Sequence, residues 1–397
     1  MKRVYFVTAL ACLIVLVAFH GIFRLLNITG GRDHLKIGFI YDNDESTPYT
    51  YNFSLAKDAL EKKYGEKVEI VTSSNVLDDE IEEPLREMAA GGCGIIFCNG
   101  YSEKVRRLAP EYPEIEFCQT SYMNMSSQKV PDNYHTFKGE AYQGRYVSGI
   151  AAGMKIREMI SEGLLKEEQP MVGFVAAFPT SEVISGYTAF LMGVRAVVPN
   201  AVMRVVYTHT WSSYALEKSA AQRLIADGCV ILSQHTDTIG PAIACEEALE
   251  KSPVYFVGYN QSMSEVAPGS SLVTSRICWE PYVLSAVDAL MANKRIESVV
   301  TGTIHGNDAS AGFEKGWVEM LDLNLQVAAP GTQGAMDGAI DRFRRGEVDF
   351  VFRGNYTGVN PNDPSDTLNL KTGYIENENT SYPLFRYLLT DIITICE

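Results

Sequence analysis

Short, nearly unbroken apolar runs, each followed by a helix-length segment, recur from residue 36 onward, and that alternation admits few folds. Runs at 36–41, 68–71, 94–98 and 116–119 alternate with helical patterns at 53–64, 79–90 and 102–109. A second series has runs at 171–176, 202–207, 230–233 and 255–259, with helical patterns at 180–198, 215–227 and 240–251. Strand, helix and strand in repeating order require crossovers, so the expectation is parallel sheet with right-handed connections. The run Gly94-Ile95-Ile96-Phe97-Cys98 shows no polar alternation, which means burial on both faces and helices on either side. The fold class read from the chain is α/β, with two doubly wound parallel-sheet lobes in tandem.

A chain of 397 residues exceeds one compact core and suits two lobes. A long amphipathic helical stretch at 141–160 opens the second series. A further strand at 272–276 and a helix starting near Pro281 form one more unit that can return to the first lobe; Pro suits a helix start because its missing N–H would be unpaired there anyway. The expected division is 1–34 as signal or anchor, 35–138 with 272–298 as the first lobe, and 139–271 with 299–397 as the second, joined by short hinges. The tail from Asn355 reads as turns and short strands ending in an apolar helix at 383–395.

Lys2 and Arg3 precede an apolar run over residues 4–19, the pattern of an export signal or a single membrane anchor with its positive end held in the cytoplasm. Retention, cleavage and lipidation at Cys12 all stay open. A net charge of −15 argues against nucleic acid as a partner, since that affinity comes from clustered Lys and Arg releasing counterions. Of the eight cysteines, Cys98, Cys118, Cys229 and Cys278 sit in or beside strand-like runs with no C-x-x-C spacing, which reads as buried free thiols.

Aromatic residues gather where strand runs turn into helices: Tyr49 and Tyr51, Tyr101, Phe178, Trp211, and Trp279 followed by Glu280-Pro281-Tyr282. In an open α/β sheet those turns lie at the carboxyl ends of the strands, where ligands bind. Rings there suit a flat molecule with a polar edge. One polar constellation, Ser233-Gln234-His235-Thr236-Asp237-Thr238, directly follows a strand run. As a ligand reader, Asp237 accepts N–H groups and His235 offers one donor and one acceptor; as a turn, Thr236 or Asp237 caps the following helix. Each aromatic also has a packing alternative, Trp279 between lobes and Phe178 as a helix staple, but all of these would have to coincide at strand ends.

Signatures of catalysis are missing. The first strand leaves into Tyr41-Asp42-Asn43-Asp44-Glu45 rather than G-x-G-x-x-G, and that acidic loop repels a pyrophosphate. There is no P-loop and no G-x-S-x-G elbow, and the six histidines show no zinc spacing. The expectation is a binder without cofactor or metal, and not an enzyme.

Four segments carry a family resemblance: Tyr142-Gln143-Gly144-Arg145-Tyr146, the stretch 172–179 continuing through Glu182-Val183-Ile184, Gln234-His235-Thr236-Asp237, and Trp279-Glu280-Pro281-Tyr282. Together they resemble the basic membrane protein family of substrate-binding proteins for ATP-driven importers, within it a branch whose ligand is a purine base such as adenine. The resemblance runs from Lys36 to the C-terminus and implies a two-lobed periplasmic-binding-protein type I fold with the ligand gripped between lobes. That branch's Gly-Trp-Thr-Tyr loop falls on Pro48-Tyr49-Thr50-Tyr51, so Tyr49 keeps a ring in place of tryptophan. Its Asn-Trp-Gly-Pro-Tyr falls on 278–282, with Glu280 replacing glycine. The carboxylate often found after the last second-lobe strand is Asn260, and the lysine of the nucleoside-binding branch, which would fall near Cys278, is missing.

The resemblance thus implies that Tyr49, Tyr51 and Trp279 on one side and Phe178 on the other sandwich a ring, while Asp237, Asn260 and Glu280 read its edge. It implies an extracytoplasmic receptor, tethered to the cell membrane or secreted, that closes on a purine nucleobase or nucleoside and presents it to ABC permease subunits. A ligand-sensing ectodomain for a membrane signalling partner is a second reading, and an exported nucleoside-cleaving enzyme a third.

Overall fold

The computed structural model describes residues 31–101, 103–321 and 323–396. The apolar run at 4–19, Cys12 and the expected signal or anchor lie outside the described residues. Among those described, no helix is long and apolar enough to cross a membrane.

The first series is β1 (Leu35–Ile40), α1 (Pro48–Tyr64), β2 (Val68–Ser73), α2 (Glu82–Ala90), β3 (Ile95–Cys98), α3 (Lys104–Leu108), β4 (Glu116–Thr120) and β5 (Tyr134–Gly139). The second is α4 (Ala141–Ser161), β6 (Met171–Ala176), α5 (Ser181–Val197), β7 (Val202–Tyr207), α6 (Tyr214–Ala226), β8 (Ile231–His235), α7 (Gly240–Ala248), β9 (Tyr255–Tyr259) and β10 (Ser271–Ile277). Then come α8 (Glu280–Met291), β11 (Thr303–His305), β12 (Asp308–Ala311), β13 (Val318–Met320), α9 (Thr332–Arg344), β14 (Thr357–Asn360), β15 (Asp363–Asn369) and β16 (Ile393–Cys396). Two seven-stranded sheets result, ordered β11-β12-β5-β4-β3-β1-β2 and β13-β10-β9-β8-β6-β7-β16. Only the β11–β12 and β10–β13 pairs are antiparallel within them. Each sheet is buried on both faces, with Trp279, Phe53 and Phe137 on one side of the first and Phe117 and Ile96 on the other.

The boundaries between lobes differ from those read in the sequence. The strand at 271–277 belongs to the second sheet, whereas the helix after it, α8, packs on α1 of the first lobe. Strands β11 and β12, expected in the second lobe, extend the first sheet beyond β5. Parallel strands can be drawn from anywhere in a chain, so alternation alone does not say which sheet receives a late strand. Three crossings therefore join the lobes, at the ends of β5, β10 and β12. They touch: a Cβ on Gly139 would lie 2.6 Å from Ile277 Cγ2 and 2.8 Å from the Trp317 carbonyl oxygen, so the hinge admits only glycine there.

Two further expectations change. Every residue of α4 from Tyr142 to Ile156 is buried, so the helix is enclosed rather than amphipathic. Helix α9 and the C-terminal segment cover the side that would otherwise meet water. The apolar C-terminal helix expected at 383–395 is absent. Residues 383–392 are irregular, and β16 pairs in parallel with β7. Pro383 and the β-branched run Ile392-Ile393-Thr394-Ile395 favour that outcome over a helix. The expectation of free thiols holds for Cys98, Cys118, Cys229 and Cys278, all buried and unpaired.

Helices α4 and α5 approach closely enough that a Cβ on Gly193 would fall 2.0 Å from the Tyr146 carbonyl oxygen. Gly193→Ala should therefore destabilise the protein by about 1–3 kcal/mol through overpacking, measured by urea unfolding; a change within experimental error would mean the two helices can separate without cost.

Candidate functional site

The carboxyl ends of strands from both sheets line a cavity of about 300 Å³. Doubly wound sheets bury their faces, so the loops at these ends are where polar groups can collect. From the first lobe come Asp42 after β1, Asn99 and Tyr101 after β3, Thr120 at the end of β4 and Lys138 in β5. From the second come Glu182 in α5, Trp211 after β7, His235 ending β8, and Tyr259 ending β9.

Six of the residues singled out in the sequence line this cavity: Tyr49, Tyr101, Trp211, His235, Asp237 and Asn260. Four do not. Trp279 is 1% exposed and sits in the first-lobe core, its ring 5.1 Å from Phe53, 5.7 Å from Phe137 and edge-on to Tyr49 at 5.9 Å. It stands behind Tyr49 because the turn into α8 points inward, toward α1. Phe178 backs Trp211 at 5.4 Å without reaching the cavity lining. Tyr51 is 40% exposed on α1, two residues on from Tyr49 and so on another face of that helix. Glu280 pairs with Arg276 at 3.3 Å in the first turn of α8.

Asp237 lines the cavity and also caps a helix, though not the local one weighed for it in the sequence. Its Oδ1 accepts the Tyr49 backbone N–H at 3.0 Å, across the cleft. Tyr49 is in the first turn of α1, whose N-cap Thr47 makes no side-chain cap. A second-lobe carboxylate thus satisfies an orphan amide at the positive end of a first-lobe helix. The cap of the local helix α7 falls instead to Thr238, whose Oγ1 accepts the Gly240 N–H at 3.2 Å. Burial, with the nearby charges of Asp42 and Glu217, raises the Asp237 carboxyl to about 7.

A second cross-cleft link pairs buried Lys138 with half-buried Glu182 at 2.8 Å, and Lys138 Nζ also donates to the Ser121 carbonyl at 3.1 Å. Asp42 and Asn99 exchange two hydrogen bonds of 3.0 Å and tie the ends of β1 and β3 together. Burial raises the Asp42 carboxyl as well. The cavity therefore holds two carboxyls, Asp42 and Asp237, together with the Lys138–Glu182 pair.

Behind the second-lobe wall lies Arg145, fully buried, its guanidinium carbon 3.5 Å from the Tyr259 ring centroid and its nitrogens without hydrogen-bond partners. Stacking on an aromatic face compensates part of the lost hydration, and burial lowers its pKa to about 10. Tyr259 in turn meets His235 at 4.9 Å. Burial, Arg145 and Lys138 all lower the His235 pKa well below its ordinary value, so the imidazole is neutral at physiological pH. This explains the Tyr142-Gln143-Gly144-Arg145-Tyr146 segment as support for the site.

Tyr259, Tyr122, Tyr382 and Lys138 also line the cavity and carried no recognised signal. Lys138 lies within a strand, β5, that the alternation did not reveal, and Tyr122 follows the end of β4. Tyr101 and Asn260 hold φ values of 80° and 66°, a left-handed conformation that is costly for a tyrosine and concentrates at functional sites. Among the described residues no group of three or more His, Cys, Asp or Glu is placed to hold a metal ion.

Comparison with known proteins places these observations in context. The model of the family described as ABC transporter substrate-binding protein PnrA-like matches residues 36–329. A purine-binding protein of Brucella abortus is 27% identical over 302 residues, 75% of this chain and 78% of that protein. A Haloferax volcanii protein named as a candidate ABC transporter glucose-binding protein is 26% identical over 269 residues, 67% of this chain and 61% of that one. An ABC transporter solute-binding protein from Conexibacter woesei superposes with a TM-score of 0.60 at 18% identity, covering 79% of this chain and 97% of that one.

The two tryptophans should separate packing from contact. Trp279→Ala is expected to cost about 3–5 kcal/mol of stability, whereas Trp211→Ala, at a residue 45% exposed, should leave unfolding nearly unchanged. Urea titrations of both variants check this; equal losses would put Trp211 in the core as well.

Proposed function

Because the chain belongs to the PnrA-like family of ABC transporter substrate-binding proteins, we propose that it captures a purine nucleobase or nucleoside between its two lobes, outside the cytoplasm, and delivers it to ABC permease subunits. The observation that carries this reading is the composition of the cavity, in which aromatic residues from both lobes line the same space as carboxyl, amide and imidazole groups. Tyr49 and Tyr101 from one lobe and Trp211 and Tyr259 from the other offer ring faces to a planar heterocycle. Such stacking contributes on the order of 1–3 kcal/mol per base. Asp42 and Asp237 accept from ring or exocyclic N–H groups, and neutral His235 and Asn260 supply both donors and acceptors. A micromolar affinity corresponds to about 8 kcal/mol, which two stacked faces and a few edge hydrogen bonds reach. The Brucella relative's purine ligand agrees with this choice, and the Haloferax relative makes a sugar the competing ligand class.

Closure follows from contacts made only when the lobes meet. The Asp237 cap on α1 and the Lys138–Glu182 pair exist in the assembled cleft, and a ligand touching both walls adds to them, so it binds the closed form more tightly than the open one. Tethering to the membrane through the N-terminal segment would keep the receptor beside its permease.

Titrating adenine, guanine, hypoxanthine, xanthine, their nucleosides and glucose against the soluble part should change tryptophan fluorescence and raise the melting temperature for purines. A response to glucose alone would replace the purine assignment with a sugar. Closure should also depend on pH. Burial, which outweighs the Tyr49 hydrogen bond, holds the Asp237 carboxyl at about 7, above its ordinary 3.8; where opening returns it to water, its contribution to closure is fully present below its ordinary value and is lost as pH rises through 7. Small-angle scattering of the ligand-free protein should show a more compact form at pH 5 than at pH 8, and Asp237→Asn should remove the part of that difference owed to this carboxyl.

A further inference from the structure

The C-terminal segment lies beyond the residues matched by the family model, and part of it enters the site. Residues 376–385 run between the lobes and are fastened to each. On the first-lobe side, Asp308 in β12 is the anchor. Its Oδ2 accepts the Ser381 N–H at 2.7 Å and the Thr380 hydroxyl at 3.0 Å, and its Oδ1 accepts the Thr136 hydroxyl at 2.7 Å and the Ser381 hydroxyl. On the second-lobe side, buried Glu376 accepts the Ser185 hydroxyl at 2.6 Å, the Leu384 N–H at 2.6 Å and the Phe385 N–H at 3.2 Å. Ser181 at the start of α5 donates to the Pro383 carbonyl at 2.8 Å, and Phe385 stacks on Phe352 at 4.4 Å.

Tyr382 is thus held between two residues that are pinned to opposite lobes. Its side chain lines the cavity, with Lys138 Nζ 5.9 Å from the ring centroid. Lys138 is itself fixed by Glu182 and by the Ser121 carbonyl. The backbone that carries this ring is anchored on both sides and cannot move away without breaking several buried hydrogen bonds, each expensive to leave unmade.

We infer that residues 376–385 form a fixed strap whose Tyr382 ring is an additional wall of the ligand cavity and a determinant of specificity, selecting a bare heterocycle over the same heterocycle carrying a sugar. The inference rests on the purine reading above. The strap limits the room beside the heterocycle because it spans the gap between the lobes on the β5–β12 side. It also makes a fourth link between the lobes, which restricts how far the cleft opens.

The test compares adenine with adenosine by isothermal titration calorimetry on the unaltered protein and on Tyr382→Ala, Tyr382→Phe and Tyr382→Trp. The ratio of adenine to adenosine affinity should fall at least tenfold in Tyr382→Ala and stay within twofold in Tyr382→Phe, which keeps the ring. Tyr382→Trp should weaken both ligands by narrowing the cavity. Because Tyr382 is only partly buried, melting temperatures should hardly move. An unchanged ratio in Tyr382→Ala, with purine binding retained, overturns the specificity role of the strap alone. Absence of binding by the unaltered protein to either purine overturns the reading on which it rests, and the strap's role with it. Rapid hydrogen exchange at the amides of Ser381, Leu384 and Phe385 in the ligand-free protein overturns the fixed strap whatever the ligand is.

Discussion

Burial of both faces of two parallel sheets is the constraint from which the rest of this molecule follows. Strands such as Ile95-Ile96-Phe97-Cys98 have no solvent-facing side, so helices must cover them front and back. Polar side chains then collect where strands end. The cavity between the lobes is lined by such ends, with Asn99 and Tyr101 following β3, and His235 and Tyr259 closing β8 and β9. The aromatic character of the site and its place in the fold therefore share one cause.

Polar contacts at that same place link the lobes to each other. The Asp237 carboxylate caps a helix of the opposite lobe, Lys138 reaches Glu182, and Asp308 and Glu376 fasten one strap from either side. Contacts of this kind depend on geometry and on charge state, and the buried ones are expensive to leave unmade. The crossings at Gly139, Ile277 and Trp317 lie side by side, which concentrates bending in a narrow hinge. A binding protein needs this combination: stiff lobes, one flexible seam, and links at the site that a ligand can reinforce.

Legibility in the sequence followed the range of the interactions. Strands and helices were readable because a period of 2 or 3.6 residues is local, and the segments after β1, β3, β7 and β8 were readable as cavity lining because strand ends in this fold class collect at the cleft. Tyr49, Tyr101, Trp211, His235, Asp237 and Asn260 all reach the cavity on that logic. Trp279 and Phe178 satisfy the same local pattern but turn toward the core or toward Trp211, and no spacing rule separates a ring that faces ligand from the ring behind it. Tyr382 left no signal, because it sits in a tail without periodicity.

What the sequence by itself determined is the class of fold, the tandem of two lobes and the aromatic character of the strand ends, since each of these is set by residues within a few positions of one another. Only the tertiary structure decided which sheet receives β10 and β12, that Asp237 caps a helix some 190 residues away in sequence (separation 188), and that the C-terminal segment returns as a strap and a seventh strand instead of a helix. Those outcomes depend on which surfaces remain uncovered once the two sheets have formed, and such vacancies exist only in three dimensions.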